Sequence, residues 1–282
     1  MTKEWHLAHG RSLQVREKAV IMGILNVTPD SFSDGGQYNE LERAVEVAGR
    51  MLAEGATIID VGGESTRPGA AAVDVKTEIA RVVPVVEALA QKYDCIISID
   101  TYRAATAQAA VNAGAHIVND VWGLQREPEI AHVAQKSGAG LVIMHTSRDR
   151  QVLDDVIEDQ FSFLNVSLGI AHKAGIEDSR IVLDPGFGFG KNKDEDVALL
   201  ARADELQKLG FPLLVGTSRK RFIGSMTGRD NPLDRDIGTA ATSVALRLAG
   251  ADIFRVHNVA FNRDALAVAD DILQSRRSEN RK

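Results

Sequence analysis

Eight times along the chain a short, nearly unbroken apolar run rich in β-branched residues is followed by a polar loop and then by a stretch with helical spacing. The runs occupy residues 20–25, 57–61, 95–99, 116–118, 140–144, 180–183, 212–215 and 252–256. They do not alternate apolar with polar residues, so both faces of each strand are covered, as in a parallel sheet flanked by helices. Between the runs, Leu41, Ala44, Val45, Ala48 and Leu52 recur at i, i+3, i+4, i+7 and i+11. Ile79, Val82, Val83, Val86 and Leu89 follow the same rule, as do Leu199, Leu206 and Leu209 and the stretches 241–248 and 266–273.

Two architectures accommodate such a β–α repeat: a closed barrel and an open doubly wound sheet. The chain has 282 residues, and about 35 per repeat is the usual spacing of a (β/α)8 barrel. An open sheet binds its ligand at one switch point and needs chemical groups at only two or three strand ends. Here nearly every run ends in such groups: Asn26, then Asp60 with Gly62-Gly63, Asp100, Asn119-Asp120, His145, Asp184, Gly216 with Ser218-Arg219-Lys220, and Arg255 with His257. Turn formation and helix capping account for any one of these, but poorly for all together. The expected fold is α/β, a single (β/α)8 TIM barrel over 1–282 whose C-terminal mouth carries long βα loops 1 and 2. Its core covers about 20–272, between a polar N-terminal segment 1–19 and a tail at 275–282 that frays.

Charge and cysteine content narrow the function classes. Lys plus Arg number 33 and Asp plus Glu 39, a net charge of −6; this argues against a surface that binds nucleic acid or anionic membrane, though not against a local cationic pocket. Cys95 is the single cysteine, so there is no disulfide framework and no multi-cysteine metal site. The N-terminus reads Met-Thr-Lys-Glu-Trp-His and lacks an apolar leader, and no apolar run reaches membrane length. A cytoplasmic location is expected, with neither nucleic acid nor membrane as partner.

Five constellations carry chemistry. The polar loop Asn26-Val27-Thr28-Pro29-Asp30-Ser31-Phe32-Ser33-Asp34-Gly35-Gly36 is long for a βα connection and reads as a lid, with Asn26 offering a neutral oxygen to a hard cation such as Mg2+. In Gly62-Gly63-Glu64-Ser65-Thr66-Arg67-Pro68-Gly69 the glycines permit close backbone approach and Thr66 and Arg67 supply donors to an anion. Asp100, Asn119 and Asp184 converge as acceptors suited to a flat heterocycle with several N–H groups; metal binding by the two aspartates is the weaker alternative, since no histidine or third carboxylate accompanies them at helical spacing. Asp184-Pro185-Gly186-Phe187-Gly188-Phe189-Gly190-Lys191 looks like a P-loop but has Pro185 where the first glycine belongs and Asn192 after the lysine; it reads as a tight glycine loop with Phe189 free to pack on a ring. Finally, Ser218-Arg219-Lys220 lies beside Arg255 and His257, which share one side of a strand and suit a phosphate.

Taken together these strings resemble the dihydropteroate synthases. The matching stretches are 23–35, 62–69, Ser98-Ile99-Asp100-Thr101, Val118-Asn119-Asp120, Met144-His145, 183–190, Ser218-Arg219-Lys220 and Arg255-Val256-His257, spread in the family's order over roughly 20–272. The resemblance implies a (β/α)8 barrel that condenses 6-hydroxymethyl-7,8-dihydropterin diphosphate with 4-aminobenzoate, giving 7,8-dihydropteroate and diphosphate. It implies a pterin pocket of Asp100, Asn119, Met144, Asp184 and Lys220, and a diphosphate site of Asn26 (through Mg2+), Arg67, Arg255 and His257. The aminobenzoate site, where sulfonamides compete, falls on Phe32, Thr66, Arg67, Pro68, Phe189 and Ser218. Asp100, Asp184, Lys220 and Arg255 become the catalytic set, and a homodimer is expected.

The residue chemistry agrees with such a reaction. A diphosphate leaving group asks for Mg2+ and cationic side chains, and a pterin-methyl centre that becomes cationic is stabilised by Asp100 and Asp184. No Ser-His-Asp or Cys-His arrangement is seen, and an arylamine nucleophile needs none. A methyltransferase-type pterin barrel would not need the diphosphate cluster, and an inactive pterin-binding homologue would lack motif residues; neither describes this chain. One departure is Thr146-Ser147-Arg148-Asp149-Arg150, where many family members have a Met-x-Gly type sequence, and His145 before it reads as structural or functional alike. Arg255→Ala is expected to weaken binding of the pterin diphosphate more than that of a bare pterin, and Asp184→Asn to weaken both.

Overall fold

The computed structural model describes residues 3–28, 37–64 and 73–279. All eight runs are strands of one parallel sheet: β3 (Val20–Asn26), β4 (Ile58–Gly62), β5 (Ile96–Asp100), β6 (Ile117–Asp120), β7 (Gly140–Met144), β8 (Ile181–Asp184), β9 (Leu214–Val215) and β10 (Ile253–Val256). Their order is β8-β7-β6-β5-β4-β3-β10-β9, and a parallel bridge between Leu183 and Leu213 joins the two ends. The sheet is therefore a closed (β/α)8 barrel, because an open doubly wound sheet would leave β8 and β9 apart.

Nine helices are seen among the described residues: α1 (Gln37–Glu54), α2 (Val75–Lys92), α3 (Ala104–Asn112), α4 (Glu129–Ser137), α5 (Val156–Lys173), α6 (Lys193–Ala201), α7 (Arg221–Thr227), α8 (Asp236–Leu248) and α9 (Val259–Glu279). On α1 and α2 the predicted apolar stripe faces the sheet, with Ala44, Val45, Ala48, Val82, Val86 and Leu89 buried. The spacing of Leu199, Leu206 and Leu209 belongs to two segments: α6 ends at Ala201, and a 3-10 stretch carries Ala203–Leu209. The tail is helical as far as Glu279.

The N-terminal segment also contributes structure. β1 (Lys3–His6) and β2 (Ser12–Val15) form an antiparallel hairpin. Trp5, Leu7 and Val15 pack against Val20, Met22, Ile58, Ile96, Ile117, Val142, Val182, Leu214 and Ile253, so every barrel strand contributes a side chain. The Trp5 indole N–H donates to the Arg180 carbonyl at 3.0 Å, which satisfies its one polar atom. The hairpin closes the bottom of the barrel, and polar groups inside the barrel are left to face the other end.

Candidate active site

Period-two alternation fixes which strand residues look into the barrel. Ile58, Ile96 and Ile117 belong to the bottom layer, so Asp60, Ser98 and Asn119, two residues further on, form the next layer. Gly62 and Asp100 stand above them. The register sets Asn26 beside Gly62, Gly62 beside Asp100, and Asp100 beside Asn119. Gly62 leaves a gap there: a Cβ on it would lie 3.7 Å from both Asn26 Oδ1 and Asp100 Oδ2. On the opposite wall Met144 pairs with Asp184.

Arg255 reaches across from β10. Its Nε donates to Asp60 Oδ2 at 2.6 Å and its Nη2 to Asp100 Oδ2 at 2.7 Å. Asn119 Nδ2 also donates to Asp60 Oδ2, at 3.3 Å. Asp184 Oδ1 accepts the Gly186 N–H at 2.7 Å. Lys220 donates to the Phe187 carbonyl and lies over the Phe189 ring, 4.3 Å from its centroid. Ser218 Oγ and His257 Nδ1 are 2.9 Å apart. The structure thus unites Asp100, Asn119, Met144, Asp184, Lys220 and Arg255 in one pocket, with Asn26, Phe189, Ser218 and His257 at its mouth. Phe32, Thr66, Arg67 and Pro68 lie outside the described residues.

Burial perturbs this set in opposite directions. It raises the Asp184 carboxyl above its usual range, while Lys220, the Gly186 N–H and Arg255 pull the other way. It likewise raises Asp100, opposed by Arg255 and reinforced by the negative charge of Asp60. It brings the Lys220 ammonium down to about 8, against the pull of Asp184 and Asp196. Three carboxylates, of Asp60, Asp100 and Asp184, therefore share two cations, Arg255 and Lys220. Asp60 Oδ1, Ser98 Oγ and Asn119 Oδ1 are buried and without a hydrogen-bond partner among the described residues. A buried polar atom left unpaired costs about 1–3 kcal/mol, so hydrogen-bonding capacity is left unused beneath Asp100 and Arg255.

Two features differ from the sequence expectation. Arg219 leaves the cationic cluster: its φ is +58° and its guanidinium pairs with Asp236 of α8 at 2.7 and 2.9 Å. Arg255 is the hub of two carboxylates, so its charge is shared with the pocket floor. Ser98, Trp122 and Arg148 were given no role by sequence reasoning, and Asp60 was read as one strand-end group among others, not as the partner of Arg255. Asp60 had a usable signal, a carboxylate inside an apolar run with the same parity as Gly62 and two residues before it. The divergent loop supplies Arg148, whose guanidinium stacks 4.3 Å from the Trp122 ring centroid and 4.8 Å from that of Phe189.

His145 points away from the pocket and is fully buried. Burial brings its imidazole down to about 4, although the hydrogen bond to Asp159 favours the charged form. The folded state keeps it neutral, whereas the unfolded chain protonates it near its ordinary value of about 6.5. Its contribution to stability is complete above that value and is lost as pH falls from about 6.5 towards about 4, at up to about 1.4 kcal/mol per pH unit. Urea unfolding from pH 7 to pH 4 should show this slope in the wild type and a shallower one in His145→Gln; equal slopes would contradict the neutral assignment.

Carboxylate, carboxamide and cationic side chains gather at the top of a (β/α)8 barrel, and the family model described as "Pterin binding enzyme" matches residues 22–257, which gives the class. A dihydropteroate synthase of Bacillus subtilis is 45% identical over 248 residues, which cover 88% of this chain and 86% of the relative. A solved dihydropteroate synthase of Clostridium difficile, determined in the presence of pteroic acid, superposes with a TM-score of 0.88 at 46% identity, covering 90% of this chain and 97% of the other. A Xanthomonas albilineans dihydropteroate synthase with 4-aminobenzoic acid gives a TM-score of 0.91 at 42% identity, covering 96% of this chain and 99% of the other. The chain belongs to the dihydropteroate synthase family and is a transferase.

Proposed function

We propose that the pocket binds 6-hydroxymethyl-7,8-dihydropterin diphosphate and that the chain joins its methylene carbon to the amino nitrogen of 4-aminobenzoate. The Asp100, Asn119 and Asp184 side chains, brought together at the ends of β5, β6 and β8, carry this reading. An amino-pyrimidinone edge presents the N–H donors that such a set requires.

Asp100, Asn119, Asp184 and Lys220 hold the ring, and Met144 forms an apolar wall. The C–O bond to the diphosphate breaks and the electron pair leaves with the diphosphate. The methylene carbon gains cationic character that spreads into the ring, where the negative charge of Asp100 and Asp184 stabilises it. The arylamine nitrogen then forms the C–N bond and loses one proton, so no strong base is needed. Arg255 and His257, with Arg67, take the diphosphate. Phe189 and Ser218, with Phe32, Thr66 and Pro68, take the aminobenzoate, and sulfonamides compete for that place.

The residues present fit a magnesium ion only in company with substrate. Asn26 offers one oxygen, and among the described residues no three His, Cys, Asp or Glu side chains cluster around a metal. Magnesium accepts such a site because it keeps its waters and takes phosphate oxygens from substrate; when bound, it offsets charge on the leaving diphosphate. Among the described residues no helix is long and apolar enough to cross a membrane, which supports a cytoplasmic location. The acidic net charge of −6 gives nucleic acid no broad surface.

A homodimer completes the reading. Met226, Leu233, Ile237, Phe261, Val268 and Ile272 are exposed on α7, α8, α9 and the turn between α7 and α8. Phe261, Val268 and Ile272 fall at i, i+7 and i+11 on α9, and α8 and α9 pack together. Exposed apolar side chains gathered on neighbouring elements suit a second copy of the chain. Light scattering should give twice the chain mass for the wild type and the single mass for Ile237→Asp with Phe261→Asp. A wild-type monomer would remove this part.

Binding itself is tested by calorimetry with a hydroxymethyl pterin that lacks the diphosphate. The wild type should bind it, and Asn119→Leu should bind at least about tenfold more weakly, as expected when a polar contact is replaced by an unpaired group. Equal binding by both proteins would contradict the pocket assignment.

A further inference from the structure

Behind the pocket, on the far side of the loop 185–192, runs a buried polar chain that the proposed reaction does not use. Lys191 is only 8% exposed. Its Nζ donates to the Gly186 carbonyl at 2.9 Å and meets His145 Nδ1 at 3.0 Å. His145 Nδ1 faces the ammonium and accepts from it, while Nε2 lies 2.9 Å from both Asp159 Oδ2 and Arg150 Nη2. Asp159 is held in turn by Arg150, 3.0 Å from its Oδ1, and by the Leu153 N–H at 2.9 Å. Arg150 comes from the divergent loop after His145.

Gly186 is where this chain meets the pocket. Its N–H donates to Asp184 Oδ1 at 2.7 Å, its carbonyl takes Lys191, and the next carbonyl, of Phe187, takes Lys220. Gly186 has φ +64°, and a Cβ there would lie 1.9 Å from the His145 carbonyl oxygen, so the turn rests directly on the end of β7. Two lysines thus grip successive carbonyls of the turn that begins at Asp184.

A buried ammonium with two neutral hydrogen-bond partners is an expensive way to fill space, since an apolar side chain would do so without the desolvation cost. What an apolar side chain cannot supply is a pair of directed donors. We propose that Lys191 is a positioning residue for the pterin site: by holding the Gly186 carbonyl it fixes the turn that aims the Asp184 carboxylate, and the Asp159–His145 pair keeps Lys191 in place. The inference rests on the reading that Asp184 holds the pterin.

The charged groups around Lys191 are Asp159 on α5, Asp184 at the end of β8, Asp196 on α6, Lys220 before α7, and Arg150, with His145 neutral beside it. Burial outweighs the favourable carboxylates and brings the Lys191 ammonium down to about 7. The neutral amine keeps two N–H groups, so the hydrogen bonds to Gly186 and His145 do not depend on its charge.

Calorimetry with 6-hydroxymethylpterin, which carries no diphosphate, tests this on the wild type, Lys191→Met and Lys191→Arg from pH 6 to 9, with melting curves alongside. At pH 6, Lys191→Met should bind about 10-fold to 100-fold more weakly, the loss expected from a misaimed site group. Lys191→Arg, which keeps directed donors, should recover part of that affinity. Wild-type affinity at every pH in Lys191→Met, whatever its melting temperature, would overturn the inference. Where Lys191→Met does not fold, His145→Leu, which removes the Nδ1 that holds Lys191, decides the matter: wild-type pterin affinity in that variant would overturn the inference. A wild type that binds no pterin at all would instead overturn the proposed function.

Discussion

Arg255→Ala is expected to lose both the fold's margin of stability and its turnover. The guanidinium lies between Asp60 and Asp100 at 2.6 and 2.7 Å, and Asp60 is fully buried. Removing one partner of a buried ion pair leaves an uncompensated charge, at a cost of about 3–5 kcal/mol. Here two carboxylates lose their shared cation at once, and Asp100 also loses the contact that orients it towards the ligand. Binding of bare pterin and of the pterin diphosphate should therefore both fall. The sequence alone had placed the larger loss on the diphosphate, because it treated Arg255 as an anion ligand and not as the hub of the pocket floor. Chemical denaturation should show the stability loss, and Asp60→Asn in the same chain should return part of it by removing one stranded charge. A stable Arg255→Ala protein that binds bare pterin normally would contradict this geometry.

Asp184→Asn should behave in the opposite way, keeping the fold and losing the chemistry. The carboxamide oxygen can still accept the Gly186 N–H, so the turn survives. Burial already disfavours the charged form of Asp184, so a neutral replacement leaves stability unchanged or slightly raised. The charge that faces the developing pterin cation is gone, however. Loss of one preorganised electrostatic partner typically costs about 100-fold to 1000-fold in kcat. Steady-state kinetics beside a melting curve would reveal the split; a large drop in melting temperature, or a kcat within a few fold of the wild type, would contradict it.

Much of the molecule was legible because its physics is local. Strands covered on both faces read as eight apolar runs, and strand ends that converge at a barrel mouth read as Asp100, Asn119, Asp184 and Arg255. What escaped depends on contacts distant in sequence. Trp5 is core only because the barrel's bottom is open to a hairpin, and three inward residues, Trp5, Leu7 and Val15, in a polar segment give little periodicity to detect. Asp60 was read among the strand-end groups, but its place one layer below them, paired with Arg255 from β10, was not. Arg219 sits next to Lys220 in sequence, but a positive φ turns it to Asp236 on α8. His145 could be read either way until Lys191 and Asp159 were seen on its two nitrogens.

The central claim is that this pocket couples loss of diphosphate from a pterin to capture by an arylamine. Purified protein should be mixed with 6-hydroxymethyl-7,8-dihydropterin diphosphate and Mg2+, with and without 4-aminobenzoate, while released diphosphate and the mass of the pterin product are followed together. Diphosphate release that depends on 4-aminobenzoate and matches dihydropteroate mole for mole is the predicted result. Release that ignores the arylamine, or the absence of any release, would contradict it.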